Sequence, residues 1–82
     1  MAIINELTNT DKPFWDLHGD ALHACDLAAR SRTRGEMLNH TARALKNART
    51  MVGQAKGQRQ LDAVAKLSTM TSYLVRRARV AS

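Results

Sequence analysis

The sequence predicts an all-α fold, a three-helix chain in which an N-terminal helix precedes an antiparallel αα-hairpin. Alanine, leucine and arginine, all strong helix formers, are the most frequent residues. The only proline lies near the start, and apolar residues recur every three or four positions, whereas strands would need alternation. A length of 82 residues allows one domain over 1–82.

The first helix is predicted over about 11–30. Thr10 or Asp11 can cap its free amides, and Pro13 is tolerated in a first turn because its missing N–H would be unpaired there. Apolar residues fill an arc of about 180°, wider than the roughly 100° of an ordinary surface helix, so we expect contacts with two neighbours. That arc contains Phe14, Trp15, Leu17, His18, Ala21, Leu22, Ala24, Cys25, Ala28 and Ala29, with His18 expected to be buried and neutral.

Residues 30–36 indicate a break before the second helix. Thr33, followed three residues later by Glu36, forms a capping box in which each side chain pairs with the other residue's backbone amide. A continuous helix over 12–55 is the competing interpretation. Residues 1–9 form either a flexible segment or one that docks on the bundle or on another subunit.

The second helix, predicted over about 34–55, has the clearest periodicity in the chain. Three apolar positions in every seven give the width expected of a bundle helix. The main rows are Leu38, Thr41, Leu45, Ala48, Val52 and Ala55, and the flanking row is Met37, Ala44 and Met51.

The third helix, predicted over about 58–80, repeats this scheme after a turn in which Gly57 is the candidate for the left-handed position that ends a helix. A short glycine-containing connection between helices of matched length predicts an antiparallel hairpin. The main rows here are Leu61, Val64, Ser68, Thr71, Val75 and Ala78, and the flanking row is Leu67, Leu74 and Ala81.

The small size of the chain predicts self-association. Cys25 is the only cysteine, so no intrachain disulfide can form, and a lone thiol fits a reducing compartment. Because the three helices carry more apolar surface than they can cover, we expect a helical-bundle homo-oligomer, with a dimer favoured, over a loosely packed monomer. No signal peptide or membrane span is recognisable, so a cytoplasmic protein is expected.

Charge is distributed unevenly along the chain. Residues 1–29 contain one base and five acids, whereas residues 30–82 contain twelve bases and two acids. This asymmetry favours an anionic partner for the second part, although a solvated face, or acidic residues packed over basic ones, would give the same pattern.

The third helix carries the candidate nucleic-acid or anion site. Arg59, Lys66 and Tyr73 recur every seven residues on the face opposite the predicted core rows, and Arg76 and Arg77 lie beside Tyr73. Lysine and arginine release counterions from a phosphate backbone, and tyrosine can stack on a base. The alternative is that the cations near the C-terminus, which Arg79 extends, only favour the helix dipole.

Arg30, Arg32 and Arg34 form a second cluster at the predicted start of the second helix. Free amides at a helix N-terminus and nearby guanidinium groups can bind an anion, but a simple polar connection is the alternative. By contrast, Arg43, Lys46 and Arg49 are spaced so that they wrap around the second helix, and solvation is expected for them.

These patterns predict a small basic regulatory protein that binds nucleic acid through a basic helical face. The alternative function is an adaptor or inhibitor of the kind that phages and mobile elements encode, acting on an acidic protein partner. It would use Trp15 and the segment containing Ile3, Ile4 and Leu7.

Neither a catalytic nor a metal site is expected, and no cofactor is predicted. Asp16, Asp20 and His23 share one helical face, but pairing of surface acids with Arg30 or Lys12 explains them better than a zinc site does. Cys25 falls on the apolar side of the first helix, where a thiol stays protonated. The sequence therefore predicts a binding protein and not an enzyme.

Overall fold

The computed structural model describes residues 13–80, which form three helices: α1 (Phe14–Arg30), α2 (Arg34–Gln54) and α3 (Gly57–Val80). Only six of these residues lie outside a helix, and none of them is in a strand. The predicted all-α, three-helix chain is thus confirmed. Residues 1–9, together with the proposed capping residues Thr10 and Asp11, lie outside the described part of the chain.

Helix α1 begins at Phe14, later than the predicted start near residue 11. Pro13 occupies the N-cap position with an extended backbone (φ −61°, ψ 151°), so it precedes the helix and does not belong to its first turn. Its carbonyl accepts hydrogen bonds from the amides of Asp16 (3.1 Å) and Leu17 (3.2 Å). The bond from Leu17 is the first regular bond of the helix, and the bond from Asp16 satisfies one orphan donor of the first turn without a side-chain cap.

The chain breaks between α1 and α2, so the interpretation of one continuous helix is wrong. Ser31 is extended (φ −66°, ψ 142°) and closes α1 twice, with its amide on the Ala28 carbonyl (3.2 Å) and its hydroxyl on the Leu27 carbonyl (2.8 Å). Thr33 then caps α2, since its hydroxyl accepts a hydrogen bond from the Glu36 amide (3.2 Å). This is the Thr33 half of the predicted capping box.

The turn between α2 and α3 contains the predicted left-handed glycine in a different role. Helix α2 ends at Gln54 and Ala55 is extended (φ −61°, ψ 130°), so the helix ends without a glycine cap. Gly57 has φ +84° and is the first residue of α3. The Lys56 amide donates to the Gln60 side-chain oxygen (2.7 Å), which ties the turn to the first turn of α3.

The helices alternate in direction, so α1 and α3 run parallel to each other. Arg59, near the start of α3, lies over the ring of Trp15, near the start of α1. Towards the other end of both helices, Ala29 and Tyr73 line the same groove. Helix α2 returns between them, and its Asn47 side chain donates to the Leu17 carbonyl (3.2 Å). Helix α1 packs more extensively against α2 than against α3.

The core lies between α1 and one side of the hairpin, and many of its residues are small. Two of them are threonines whose hydroxyls are satisfied within their own helices: Thr41 donates to the Met37 carbonyl (2.7 Å) and Thr71 to the Ser68 carbonyl (3.0 Å). The buried hydrophobic residues are Phe14, Leu17, Ala21, Ala24, Cys25, Ala28, Met37, Ala44, Ala48, Met51, Val64, Leu67, Leu74 and Ala78.

The apolar rows are rotated relative to the sequence prediction. On α2 the flanking row of Met37, Ala44 and Met51 is buried, and on α3 Leu67 and Leu74 are buried. The reason is that α1 covers only one side of the hairpin and draws the core towards itself. The predicted core positions on the other side form what we call the open hairpin face: Leu38 (38% exposed), Val52 (60%) and Leu61 (49%), with Leu45 and Val75 half-buried and Ser68 exposed.

Candidate nucleic-acid interface

The predicted stripe on α3 is exposed, but it runs beside α1 and not along a free face. The Arg59 guanidinium lies over the Trp15 ring, with 5.6 Å between its carbon and the ring centroid. Further along, Tyr73 lines a groove with Leu22 and Asp26 of α1. Lys66 is exposed between these two points. The predicted location opposite the core is therefore corrected, because α1 packs parallel to α3 along this edge.

The C-terminal part of α3 presents an aromatic ring with two cations beside it. Tyr73 is 53% exposed, and the Arg77 guanidinium carbon lies 5.8 Å from its ring centroid. Tyr73, Arg76, Arg77 and Val80 line one shallow depression in the surface. A planar guanidinium beside a phenol offers hydrogen bonds to a phosphate and a stacking surface to a base.

The fold brings the two predicted arginine clusters to the same end of the bundle. Because α1 and α3 are parallel, the last residue of α1 and the last turns of α3 lie at one end, and α2 begins there too. We call this surface the arginine end. It consists of Arg30, Arg32, Arg34, Arg76, Arg77 and Arg79, all of them exposed.

Acidic side chains compensate this end only in part. Arg30 pairs with Asp26 at 3.2 Å within α1, with both side chains more than half exposed. A solvated pair of this kind contributes less than about 1 kcal/mol and can exchange for a phosphate. Glu36 lies in the first turn of α2, where its charge suits the helix dipole. With six guanidinium groups and two carboxylates, this end of the bundle has a local excess of positive charge.

Trp15, the predicted protein-contact residue, is 44% exposed at the start of α1. It packs edge to face with Phe14 (4.8 Å between centroids) and with His18 (5.3 Å). His18 was predicted to be buried and is only half-buried, because the Trp15 ring beside it is itself open to solvent. The other predicted contact residues, Ile3, Ile4 and Leu7, lie outside the described part of the chain.

Cys25 is 3% exposed, and burial raises the pKa of its thiol, so it is protonated near neutral pH. Across residues 13–80, no three His, Cys, Asp or Glu side chains come together in a group that could hold a metal ion. Among the three described helices, none combines the length and the hydrophobicity needed to cross a membrane.

Two features of this surface were absent from the predicted site. Arg79 belongs to the arginine end, and the contact between Arg59 and Trp15 joins residues far apart in sequence. Two short connections were the signal for the first feature, since together they make α1 and α3 parallel.

Comparisons of the chain with family models, with curated proteins and with solved structures found no significant match.

Proposed function

We propose that this chain is a small basic regulatory protein that binds nucleic acid through the arginine end. The observation that carries the proposal is the convergence of arginines from all three helices on one end of the bundle. Arginine presents a rigid fork of donors that matches the phosphate group, and it is less strongly hydrated than lysine. Contacts of this kind give affinity without sequence preference.

The stripe on α3 extends the same surface along the bundle. Tyr73 adjoins the arginine end beside Arg77, and Lys66 and Arg59 continue towards the hairpin turn. From Arg59 to Arg77 the helix rises by about 27 Å, the length of roughly eight base pairs of duplex. A phosphate backbone that lies along α3 and starts at the arginine end would reach Arg59 at the far end of the stripe. There the Trp15 ring holds the Arg59 guanidinium in place.

Binding of a labelled DNA or RNA duplex of mixed sequence, measured from about 20 mM to about 300 mM salt, tests the proposal. The paired variant Arg32→Gln/Arg77→Gln should lower the slope of log affinity against log salt by about 2, since each lost phosphate contact removes about 0.9. The matched control is Arg43→Gln/Lys46→Gln, which removes the same charge from the exposed side of α2. This control should change the slope by less than about 0.5.

Absence of binding at low salt would overturn the proposed function. Equal losses in the two paired variants would also overturn it, because net charge and not the arginine end would then be responsible. Reversal of charge by Lys66→Glu and Arg77→Glu offers a second readout, in which indifference to both substitutions would count against the α3 surface.

A second candidate function rests on the exposure of Trp15 and of Leu22, seven residues later on the same face of α1. An adaptor or inhibitor acting on an acidic protein could use these two apolar groups together with Arg59, which lies over the Trp15 ring. Recovery of one protein partner after nuclease treatment, lost on Trp15→Ala, would favour this function. Retention of the partner by that variant would exclude Trp15 as the contact.

We further propose that the chain is cytoplasmic, acts by binding and not by catalysis, and assembles as a homo-oligomer, with a dimer favoured. The protonated, buried Cys25 supports a role without nucleophilic chemistry. Eight large hydrophobic side chains of the described helices are exposed, which supports assembly: Trp15, Leu22, Leu38, Val52, Leu61, Met70, Tyr73 and Val80. Covering such groups is the usual way in which a small core gains stability.

A further inference from the structure

The groove between α1 and α3, which we call the α1–α3 groove, is largely apolar. Cys25 (3% exposed) and Leu74 (2%) form its floor, and Leu22, Met70 and Tyr73 are exposed along its walls. Its volume of about 330 Å³ falls at the lower end of the roughly 300–1,000 Å³ of small-molecule sites. The groove is therefore of a size to hold one ring system or one side chain.

Two guanidinium groups lie at the end of this groove that adjoins the arginine end. Arg30 comes one turn after Asp26, a wall residue of the groove, and its Nε donates to the Asp26 Oδ1 at 3.2 Å. Arg77 comes one turn after Tyr73, with its guanidinium carbon 5.8 Å from the ring centroid. Because α1 and α3 are parallel, both arginines follow the groove in the same direction. An apolar occupant that carries an anionic group would therefore place that group beside them.

We propose that the α1–α3 groove receives one unpaired base of the nucleic acid whose phosphates the arginine end holds. The sugar links each base to a phosphate, so a base in the groove brings a phosphate to the two guanidinium groups. This inference rests on the proposed function and names its ligand class, which is single-stranded nucleic acid in preference to a continuous duplex. In a duplex the faces of the bases are covered by their neighbours, and turning one base out costs free energy.

The walls of the groove fit a base better than they fit an aliphatic side chain. Tyr73 is 53% exposed and lines both this groove and the depression that contains Arg77, so its ring offers a stacking surface next to a phosphate site. The Asp26 carboxylate can accept several hydrogen bonds, for example one from Arg30 and another from the amino group of a base. An aliphatic side chain has no donor to offer that carboxylate. Since Arg30 balances its charge, Asp26 does not repel an approaching phosphate.

Affinities for three labelled DNA ligands, measured by fluorescence anisotropy at one salt concentration, test the groove. The ligands are a single strand of about 12 nucleotides, a strand of the same length with abasic sugars, and the duplex of the same sequence. We expect the strand with bases to bind about 10-fold more tightly than the abasic strand, because the two differ in bases and not in phosphates. It should also bind more tightly than the duplex, which reaches the arginine end through its phosphates alone. RNA strands, with and without bases, are measured in the same way.

The variant Ala29→Phe fills the groove without any change of charge. Ala29 is exposed and lines the groove, so a phenylalanine there would occupy the space of the base and leave the core intact. Affinity for the single strand should fall about 10-fold, to the value for the abasic strand. Ala42→Phe is the matched control, since Ala42 is an equally exposed alanine on α2. This control should change the affinity by less than about 2-fold, and circular dichroism establishes that both variants are helical.

A second pair of variants tests the aromatic wall. Tyr73→Leu keeps an apolar side chain but removes the stacking surface, so single-strand affinity should fall about 5-fold or more. Tyr73→Phe retains the ring and should keep most of that affinity. Neither variant should change the slope of log affinity against log salt, because stacking releases no counterions. The paired arginine variant, by contrast, lowers that slope.

Equal affinities for strands with and without bases, in both DNA and RNA, would overturn the groove assignment and leave the arginine end as a phosphate site. A preference for bases that survives Ala29→Phe would also overturn it and leave the groove to an apolar side chain of an acidic protein. Failure of every strand and of the duplex to bind at low salt would overturn the proposed function and this inference together. The two failures are thus distinguishable.

Discussion

At the scale of single residues, Cys25 links protonation to folding. Its burial raises the pKa of the thiol, so the folded chain keeps the proton to a higher pH than the unfolded chain does. The stabilisation is complete below the pKa that the thiol has in the unfolded chain. It is lost as pH rises through the higher pKa that the thiol has in the folded chain. Between the two values, stability should fall by at most about 1.4 kcal/mol per pH unit.

We therefore expect the urea midpoint of the protein to fall more steeply between about pH 8 and pH 10 than the midpoint of the Cys25→Ala variant. Lysine and tyrosine residues titrate in both proteins, so the difference in slope isolates the thiol. Parallel slopes would show that the thiolate is as well solvated in the folded chain as in the unfolded chain.

Residue contacts could be predicted from the sequence only where both partners lie within one helical turn. Thr33 with Glu36, and Arg30 with a nearby acid, follow from spacing alone. The contact between Arg59 and Trp15 does not, since it depends on how α1 is placed against α3. The half-buried state of His18 could not be predicted either, because the side of the wide apolar arc that meets α2 is set by packing.

At the scale of helices, two glycines offer substitutions of opposite sign. Gly57 has φ +84°, so Gly57→Ala should destabilise the protein by about 1–2 kcal/mol through the strain of a left-handed L residue. Gly53 lies in the last turn of α2, and no neighbouring group comes within 4 Å of where a Cβ would be. Gly53→Ala should therefore stabilise the protein by about 0.5–1 kcal/mol. Denaturant unfolding of both variants checks these values, and a shift of the same sign in both would contradict the assigned turn.

Helix boundaries followed closely from capping residues, proline and glycine, whereas the burial of each row did not. Three apolar rows in seven leave a choice of which two face the core. On α2 that choice depends on α1, which packs over Met37, Ala44 and Met51 and leaves Leu38 and Val52 exposed. Periodicity within a helix cannot determine which rows face the core, because it does not depend on the side on which the next helix packs.

At the scale of the whole molecule, the relative directions of the three helices could be predicted from the sequence. Short connections at 31–33 and 55–56 make consecutive helices antiparallel, and so α1 and α3 run in the same direction. The convergence of the arginines from 30–34 with those from 76–79 follows from that direction. The side of the hairpin on which α1 packs does not follow from the sequence. The open hairpin face and the position of Lys66 beside α1 depend on that side, so they could not be predicted either.

The small residues of the core set how the protein responds to temperature. Six alanines and two threonines are among its buried residues, so unfolding wets less hydrocarbon than in a core of leucine and phenylalanine. Calorimetry should therefore give a heat-capacity increment below the roughly 1 kcal/mol/K expected for a chain of this length. The melting transition would then be wide and the curve of unfolding free energy against temperature shallow. The free energy of unfolding would therefore change little over the range of temperatures at which cells grow. A larger increment would mean that additional hydrocarbon is dry in the native state, as it would be where two copies meet.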